Sequence, residues 1–441
     1  MMGSPLAVGV QPGARRACAL ALGLAALLGS APSLGSPQEV VGFGYRSIGM
    51  GNTGMAAGEG VDSVYLNPAL LSLGHEMQLE LGVLGASFFL RADGETTPGK
   101  LPYSSLRANT IGGILPLPFG GVLEDRVTIG LGFLTPFDVV VRGRILYPEK
   151  AQFLLADRVQ SVAVQAALGL DFGYGIRVGG GFAALAALSG SVVVATDASG
   201  RIGTTVKDQL VASYAPLVGA AFDLDEHYRL GVTFRGPLQA RFNVVIVADD
   251  LGGIHIPPLN ISGVAQYDPW QLGAEVARVG GPWTVALGLV YKHWPAYPGP
   301  VEATVRCEDR PDPSLPCSAP TPAEPGYYPV VAPRLGVDHR LEAGPGTAFH
   351  LRAGYAFEPS PAPAQVGRTS YYDSHRSVVS LGYGIRLEDP QPPLSFDGYF
   401  QAQVLHPRTH ERRVAEGAPA DDDVVSQGFI LGGGVAAAVR F

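Results

Sequence analysis

The chain has little charge, few cysteines and, beyond its first residues, no long apolar run. Charged residues make up 16% of its 441 residues, and lysine is scarce among them. A membrane-spanning helix needs ~18 or more consecutive apolar residues, and no segment after residue 35 supplies them. The net charge of −8 argues against a nucleic-acid partner, because phosphate binding requires clustered Lys and Arg.

The cysteines indicate an oxidising compartment. Cys307 and Cys317 enclose a polar, proline-rich segment that must be a loop. We predict that they form a disulfide that staples this loop. The alternative is a metal site, but two thiols without a nearby histidine do not complete a zinc shell. The sequence therefore predicts no metal and no cofactor.

The first 35 residues predict an export signal. Two arginines precede the apolar run Ala17–Leu28, and the small residues Ser33 and Gly35 suit a peptidase cut before Ser36. The run is roughly a dozen residues long, too short to span a bilayer. We therefore expect residues 1–35 to be removed on export.

The last segment, Gln427 to Phe441, reads as an amphipathic strand. Its apolar residues recur with a period of two, which is typical of a strand with one apolar face. On that face are Phe429, Leu431, Val435, Ala437, Val439 and Phe441, interrupted only by Gly433. An exported chain that ends in such a strand with a terminal aromatic residue is a candidate outer-membrane barrel. We expect Phe441 to act as the signal for the barrel-assembly machinery.

About fourteen strands are predicted between residues 77 and 441. The expected ranges are 77–92, 105–117, 126–135, 152–172, 175–195, 204–223, 227–247, 268–279, 282–294, 328–343, 346–358, 373–388, 393–406 and 427–441. Connections after even-numbered strands are short, and those after odd-numbered strands are mostly long. An even strand number with this alternation indicates an all-β transmembrane, antiparallel outer-membrane β-barrel with both barrel ends in the periplasm.

A barrel of this size needs something in its lumen. Eight strands are filled by their own side chains, whereas sixteen or more leave an aqueous channel. Residues 36–76 are too long for a linker and not polar enough for disorder. We therefore predict that they form an N-terminal plug inside the barrel.

Several motifs carry a resemblance to a known family. The plug segment has a Gly-rich opening, an acidic stretch and an Asn-Pro-Ala motif, which are Gly49–Thr53, Glu59 with Asp62, and Asn67, Pro68 and Ala69. Further along, the runs VTIGLGFLTPFD and HLRAGYAFEPSPAP occur in order and at suitable spacing. Together these runs resemble the FadL/TodX-type outer-membrane transporters of long-chain fatty acids and other hydrophobic compounds. In that family the plug is called the hatch, and we use this name for residues 36–76.

The resemblance implies passive uptake of hydrophobic molecules. External loops capture the ligand, a pocket above the hatch holds it, and a gap in the wall near the third strand lets it leave sideways. Gly130, Gly132 and Pro136 are the candidates for that gap, since glycine and proline both weaken a strand. The alternative is that these glycines have no special role, because glycine is abundant throughout the chain.

The hatch residues also leave alternatives open. Asn67 either caps a helical turn that Pro68 begins, with a role in the plug, or is a plain helix-start signal. Four apolar residues either line the ligand pocket or pack the plug against the wall. They are Tyr65, Leu66, Leu70 and Leu71.

The expected partners are hydrophobic small molecules, the outer membrane and its lipopolysaccharide, and the chain is expected to be a monomer. One rival function is an outer-membrane assembly or secretion partner that transports nothing. A diffusion pore for polar solutes is disfavoured, because it would require charged rings in an open lumen. No serine lies in a Gly-x-Ser-x-Gly elbow, so no catalytic residues are predicted and an enzyme is not expected.

Overall fold

The computed structural model describes most of the chain after residue 36. Its described residues are 37–94, 97–137, 151–153, 155, 162–196, 202–251, 254–299, 301–305, 325–366, 369–412 and 422–441. The signal segment 1–35 lies outside them, as do Cys307 and Cys317. The export signal and the disulfide therefore stay predictions.

Short helices precede a long series of strands. The helices are α1 (Pro37–Val41), α2 (Tyr45–Gly49) and α3 (Ser63–Leu66), with 3-10 turns at Gly60–Asp62, Pro68–Leu73, Gly121–Leu123 and Trp294–Ala296. None of the helices among the described residues is long and apolar enough to cross a membrane. The strands are β1 (Gln78–Asp93), β2 (Pro98–Leu101), β3 (Leu106–Pro116), β4 (Val127–Pro136), β5 (Gln152–Phe153), β6 (Ala163–Gly173), β7 (Ile176–Thr196), β8 (Ile202–Asp223), β9 (Tyr228–Arg235), β10 (Leu238–Leu251), β11 (Ile254–Asp268), β12 (Trp270–Arg278), β13 (Trp283–His293), β14 (Val301–Val305), β15 (Val330–Gly344), β16 (Thr347–Glu358), β17 (Tyr371–Tyr372), β18 (Arg376–Leu387), β19 (Leu394–Arg412) and β20 (Asp422–Arg440).

Fourteen of these strands form a closed antiparallel barrel, which confirms the predicted fold. Going round the wall, they are β1, β3, β4, β6, β7, β8, β9, β12, β13, β15, β16, β18, β19 and β20. The ring closes where β20 pairs with β1, from Gln78 opposite Arg440 to Asp93 opposite Val425. Both ends of the barrel chain and the short hairpin turns therefore lie at one end, the turn end. The opposite end is the loop end.

The wall strands bury alternate residues, as a period of two requires. In β12, for example, side chains alternate between buried and exposed along almost the whole strand. On β20 the predicted apolar row is exposed on the outside, and Ile430, Ala436 and Ala438 are buried on the inside. The backbone N–H of Phe441 donates to the carbonyl of Met77 at 2.9 Å, so the last residue is tied to the start of β1.

Three predicted boundaries are wrong. The range 152–172 is not one strand, because residues 152–153 form β5 and pair in parallel with β17, and the wall strand starts only at Ala163. The range 227–247 breaks after β9 at Gly236 and Pro237, where proline cannot donate to a ladder. The predicted loop 407–426 is shorter, because cross-strand pairing extends β19 and β20 beyond a register shift next to Arg408.

Candidate ligand chamber and hatch

Glycines line the inner wall wherever the hatch lies against it. A Cβ at Gly179 would lie 2.3 Å from the carbonyl carbon of Pro68, and one at Gly231 would lie 1.9 Å from the carbonyl oxygen of Met55. Real Cβ atoms do not approach so closely, so only glycine fits. Thirteen wall strands each carry a glycine at which an added Cβ would lie within 3.2 Å of a hatch atom. These glycines are Gly82, Gly112, Gly130, Gly169, Gly179, Gly219, Gly231, Gly273, Gly288, Gly336, Gly354, Gly382 and Gly434. The wall is thus shaped around the hatch.

Asn67 links two segments of the hatch to each other and to the barrel wall. Its Oδ1 accepts from the backbone N–H of Ala69 at 3.1 Å and caps the 3-10 turn that begins at Pro68. Its Nδ2 donates to the carbonyls of Met55 at 2.6 Å and of Ala220, on β8, at 3.1 Å. The side chain is fully buried. Asn67 is therefore both a cap and a bridge between two hatch segments and the barrel.

Of the four apolar pocket candidates, most pack the hatch against the wall. Leu66 and Leu71 belong to a buried cluster with Ile114 and Ala167 of the wall. Leu70 packs with Ala221 of β8. Whether these residues also line a ligand pocket stays a prediction.

Tyr65 belongs to the same apolar cluster as Leu66 and Leu71, and it also contacts a buried charged group that we call the floor cluster. Its members are Glu39, Tyr65, Arg235, Lys292, Arg334 and Glu358. The guanidinium of Arg235 lies 3.8 Å from the centre of the Tyr65 ring, and its Nη1 is 3.1 Å from the Glu39 carboxylate. Lys292 Nζ donates to Glu39 at 2.9 Å and to Glu358 at 2.8 Å.

Neighbouring cations keep the buried Glu39 carboxylate ionised. Burial alone would raise the pKa of Glu39, but Lys292 and Arg235 outweigh it and hold that pKa below its ordinary value. Arg334 completes the cluster, 3.2 Å from Glu358 and donating also to the carbonyl of Asn52. Three cations thus face two carboxylates, and the cluster carries a net positive charge.

A wall carboxylate holds the hatch in a second place. Glu275 of β12 accepts backbone N–H groups from Gly54, Ala56 and Ala57, at distances between 2.9 and 3.1 Å. Three converging N–H groups stabilise a buried carboxylate that has no bulk water to solvate it. Glu275 therefore fixes the hatch turn at residues 54–57 to the barrel.

A packed cluster of buried apolar side chains fills the lumen between the hatch and the loop end, and we call this region the apolar chamber. Its inner wall is made of side chains at inward positions, where a water-filled barrel would carry polar residues. Examples are Leu84, Phe88, Leu134, Leu185 and Leu238, each at most 6% exposed.

The hatch and the loops close this chamber with apolar side chains. Val40 and Val41 of α1 contribute to it from the hatch, next to Glu39 of the floor cluster. From the loop side, Phe153 and Tyr372 are fully buried, with their ring centres 6.1 Å apart. The backbone N–H of Phe153 donates to the Tyr103 hydroxyl at 2.6 Å, which holds this segment in place. The chamber is therefore filled by the chain itself.

The glycines expected at a gap in the third strand lie in a continuous ladder. Without a register shift, β4 pairs with β3 over residues 128–136 and with β6 over residues 127–134. A Cβ at Gly130 would lie 2.6 Å from Val64, and one at Gly132 would lie 2.7 Å from Phe43, so both glycines make room for the hatch. Pro136 stands opposite Ala108 at the end of the β3–β4 pairing. A gap beside these residues stays a prediction.

The turn end is polar and contains open space. Two cavities, of about 500 and 460 Å³, share Arg46, Glu59, Arg386 and Arg440 in their linings. Asp62 lines the second cavity, and its Oδ2 accepts from the N–H and the hydroxyl of Ser47 at 2.8 and 2.7 Å. Burial raises the pKa of Asp62 to about 6, although these hydrogen bonds favour the charged form.

A buried Ser–His pair at the loop end does not have the arrangement of a nucleophile with its base. His410 Nε2 lies 2.9 Å from Ser426 Oγ, and the backbone N–H of Gln365 donates to His410 Nδ1 at 3.1 Å. Because Nδ1 accepts, the proton of the neutral ring is on Nε2. Nε2 is then a donor toward the serine and cannot take its proton.

Sequence reasoning missed Glu39, Arg235, Glu275 and Lys292. A signal was present for the strand residues, because each is a charged side chain within an otherwise apolar strand. In a barrel strand the inward positions are the polar ones, so the charge itself indicates the inward face. Glu39 had no comparable signal, since its charged partners Arg235 and Lys292 are 196 and 253 residues away along the chain.

Comparison with known proteins identifies the fold. No family model matches the chain, and no curated protein matches its sequence significantly. Among solved structures, a FadL homologue from Pseudomonas aeruginosa is similar with a TM-score of 0.56 and 12% identity, over 93% of this chain and 98% of the other. The toluene transporter TodX from P. putida gives 0.52 and 13%, over 91% and 99%. The toluene transporter TbuX from Ralstonia pickettii gives 0.51 and 14%, over 91% and 99%. This chain therefore has the fold of the FadL-type barrels.

Proposed function

We propose that the chain is an outer-membrane channel for the passive uptake of hydrophobic molecules, such as long-chain fatty acids or similar lipids and hydrocarbons. The observation that carries the proposal is the apolar chamber inside a barrel of fourteen strands. A pore for polar solutes gains nothing from such a lining. Burying an alkyl chain contributes roughly 0.8 kcal/mol per methylene, so a long chain binds there with few polar contacts.

The proposed route has three steps. External loops capture the ligand at the loop end, the ligand takes the place of Phe153 and Tyr372 in the chamber, and it leaves sideways through the wall. The hatch gates this route, since Val40 and Val41 close the chamber from below. The turn end then faces the periplasm, in keeping with the short periplasmic turns of such barrels.

The floor cluster suits an anionic head group on the ligand. Arg376 lies beside the cluster in the wall, and its Nη1 donates to Gln403 at 2.8 Å. A carboxylate in this net positive surrounding is stabilised by charge-assisted hydrogen bonds. Among the candidate substrates, a fatty acid thus fits better than a neutral hydrocarbon.

The rival function, an assembly or secretion partner, requires no bound ligand. The test is native mass spectrometry with lipid extraction on the purified protein, together with uptake of a labelled long-chain fatty acid by a host that lacks its own transporter. We expect bound acyl chains and restored uptake, both reduced when Asn67, Pro68 and Ala69 are replaced together. The single variant Gly180→Ala, which lies on the outer face, serves as a control and should transport normally. An empty barrel that restores no uptake would favour the assembly role.

A further inference from the structure

Three neighbouring hairpin turns at the turn end expose large apolar side chains. They join β3 to β4, β6 to β7 and β8 to β9, which are six consecutive strands of the wall. Val122 is 81% exposed, Leu224 is 60% exposed and Tyr174 is fully exposed. Phe119 and Leu123, in the same turn as Val122, are 47% and 44% exposed. We call these five residues the apolar arc.

The turns on the other side of the barrel have a different composition. Residues 279–282, 345–346 and 388–393 expose no large apolar side chain apart from prolines. These turns are rich in glycine and proline, and the last of them carries Glu388 and Asp389, which are both exposed. The turn end is therefore apolar on one side only.

The β3–β4 turn projects away from the rest of the protein. Residues 118–125 are all exposed, and a Cβ added at Gly120 or Gly121 would have no neighbour within 4 Å. The turn nevertheless has a defined shape, because the N–H of Glu124 donates to the carbonyl of Gly121 at 3.3 Å. An ordered turn that holds three large apolar side chains away from the protein suits an apolar surrounding.

The arc continues the outer face of the wall. Along β3 the outward side chains of Ile111 and Leu115 are 43% and 48% exposed, and Phe119 follows at the same spacing of four residues. On both sides of Tyr174, Phe172 and Ile176 at the ends of β6 and β7 are exposed as well. The apolar outer surface of the barrel thus extends into the turns.

Charged side chains at the base of these hairpins lie on the inner rim and pair with one another. Arg177 lies 2.9 Å from Asp171 and 2.7 Å from Asp223, and Arg229 lies 2.7 Å from Asp223. The N–H of Asp171 also donates to the carbonyl of Arg126 at 2.9 Å, which joins the first two hairpins. The connected hairpins therefore direct these charges toward the lumen and apolar side chains outward.

From these observations we propose that the apolar arc lies in the headgroup layer of the periplasmic leaflet and anchors this side of the barrel to the lipid. The inference rests on the proposed outer-membrane channel and adds a lipid contact outside its transport route. Aromatic and aliphatic side chains favour this layer, where apolar and polar surroundings meet. The bilayer fits better than a partner protein, because the arc is continuous with a wall that already faces lipid.

The position of the arc also sets how the barrel stands in the membrane. Four residues separate Phe119 from Leu115, which at ~3.3 Å per residue and a tilt of ~40° is roughly 10 Å along the barrel axis. The headgroup layer of one leaflet is only roughly 5–7 Å thick. The arc therefore reaches this layer when its side of the barrel is drawn further into the bilayer than the side that carries Glu388.

The experiment measures the depth of spin labels on the full-length protein in vesicles of phosphatidylethanolamine and phosphatidylglycerol. The parent protein carries serine in place of its three cysteines. Nitroxide labels are attached at Val122→Cys in the arc, at Asp389→Cys in the charged turn and at Leu131→Cys on the outer wall. Each label collides with oxygen, which concentrates in lipid, and with a water-soluble nickel chelate. The ratio of the two collision rates reports its depth.

We expect the oxygen-to-nickel ratio at residue 122 to be several times that at residue 389 and to approach that at residue 131. Adding Phe119→Ser and Leu123→Ser should lower the ratio at residue 122 and leave it unchanged at residue 131. This step verifies that the arc, and not the label itself, seeks the lipid, so an unchanged ratio at residue 122 would contradict the proposal.

Equal ratios at residues 122 and 389 would overturn the proposal and favour a partner protein on the arc. Failure of the proposed channel gives a different result. In that case the label at residue 131 would report an aqueous surrounding, because the outer wall would not face lipid.

Discussion

At the scale of single residues, the inner glycines act through the space they leave. Gly179 and Gly180 are neighbours on β7, but they point to opposite faces. A Cβ at Gly179 would meet the hatch backbone at 2.3 Å, whereas one at Gly180 would have its nearest neighbour at 3.8 Å. Gly179→Ala should therefore lower the free energy of unfolding by ~1–3 kcal/mol, because the hatch must shift. Gly180→Ala should change it by less than about 1 kcal/mol. Urea unfolding in micelles, followed by tryptophan fluorescence, compares the pair, and equal effects would contradict the fit described here.

Asn67 offers a second test at this scale, because its two functions can be separated. Asn67→Ala removes the cap, worth about 1 kcal/mol, and leaves two buried carbonyls without their donor, at ~1–3 kcal/mol each. Asn67→Ser keeps a cap acceptor and loses only the bridge. We expect hatch cleavage by a soluble protease to increase in the order wild type, Ser, Ala. A Ser variant as sensitive as the Ala variant would show that the cap contributes little.

Asp62 and Glu39 respond to pH in opposite directions. The ordinary pKa of Asp62 is 3.8, and the folded protein raises it to about 6. Between these values the folded state binds more protons than the unfolded state, so this group lowers stability as the pH rises through the interval. Asp62→Asn should remove that loss. The pKa of Glu39 is lowered, so its contribution is present above its ordinary pKa and is lost in acid.

The measurement is the free energy of unfolding from below pH 3.8 to above pH 6 for wild type and Asp62→Asn. The difference between the two proteins isolates Asp62, since the other groups cancel. We expect the variant to gain relative stability steadily across the interval. A constant difference would mean that Asp62 titrates at its ordinary pKa.

At the scale of elements, the short strand β5 places an aromatic side chain in the apolar chamber. Its Phe153 is fully buried in the apolar cluster, whereas Phe429 on β20 is 42% exposed on the outer face. Phe153→Ala should lower the free energy of unfolding by ~3–5 kcal/mol. It should also leave a space that a small apolar compound fills, so that such a compound raises the midpoint of thermal unfolding. Phe429→Ala is the matched control and should show no ligand-dependent shift.

Strand boundaries at this scale depend on contacts that the local pattern does not contain. Residues 152–162 have the composition of a strand, yet Phe153 and Leu155 gain more by burial in the chamber than by pairing in the wall. The break at Gly236 and Pro237 was readable from the proline alone. The parallel pairing of β10 with β7 was not, because it joins segments that are more than fifty residues apart.

At the scale of the whole molecule, the alternation of turns and loops predicts which end faces outward. Protease tags placed in 295–327 and in 407–426 should be cut on intact cells, because the wall strands before and after each range meet it at the loop end. A tag in 223–228, at the turn end, should survive until the outer membrane is opened. The same tags in permeabilised cells verify that each site is cleavable. The reverse pattern of cleavage would overturn the proposed orientation.

The sequence by itself determined the number of wall strands, their antiparallel order and the outer face of the last strand. These properties follow from a period of two and from turn residues, which act between neighbours along the chain. Only the tertiary structure decided that Glu275 holds the hatch turn 219 residues away, that Phe153 is buried in the apolar cluster and that β10 pairs with β7. Such features depend on which distant segments compete for the same lumen. In the closed barrel, the shape and charge of these segments decide which of them fills the lumen, and no local sequence pattern predicts this.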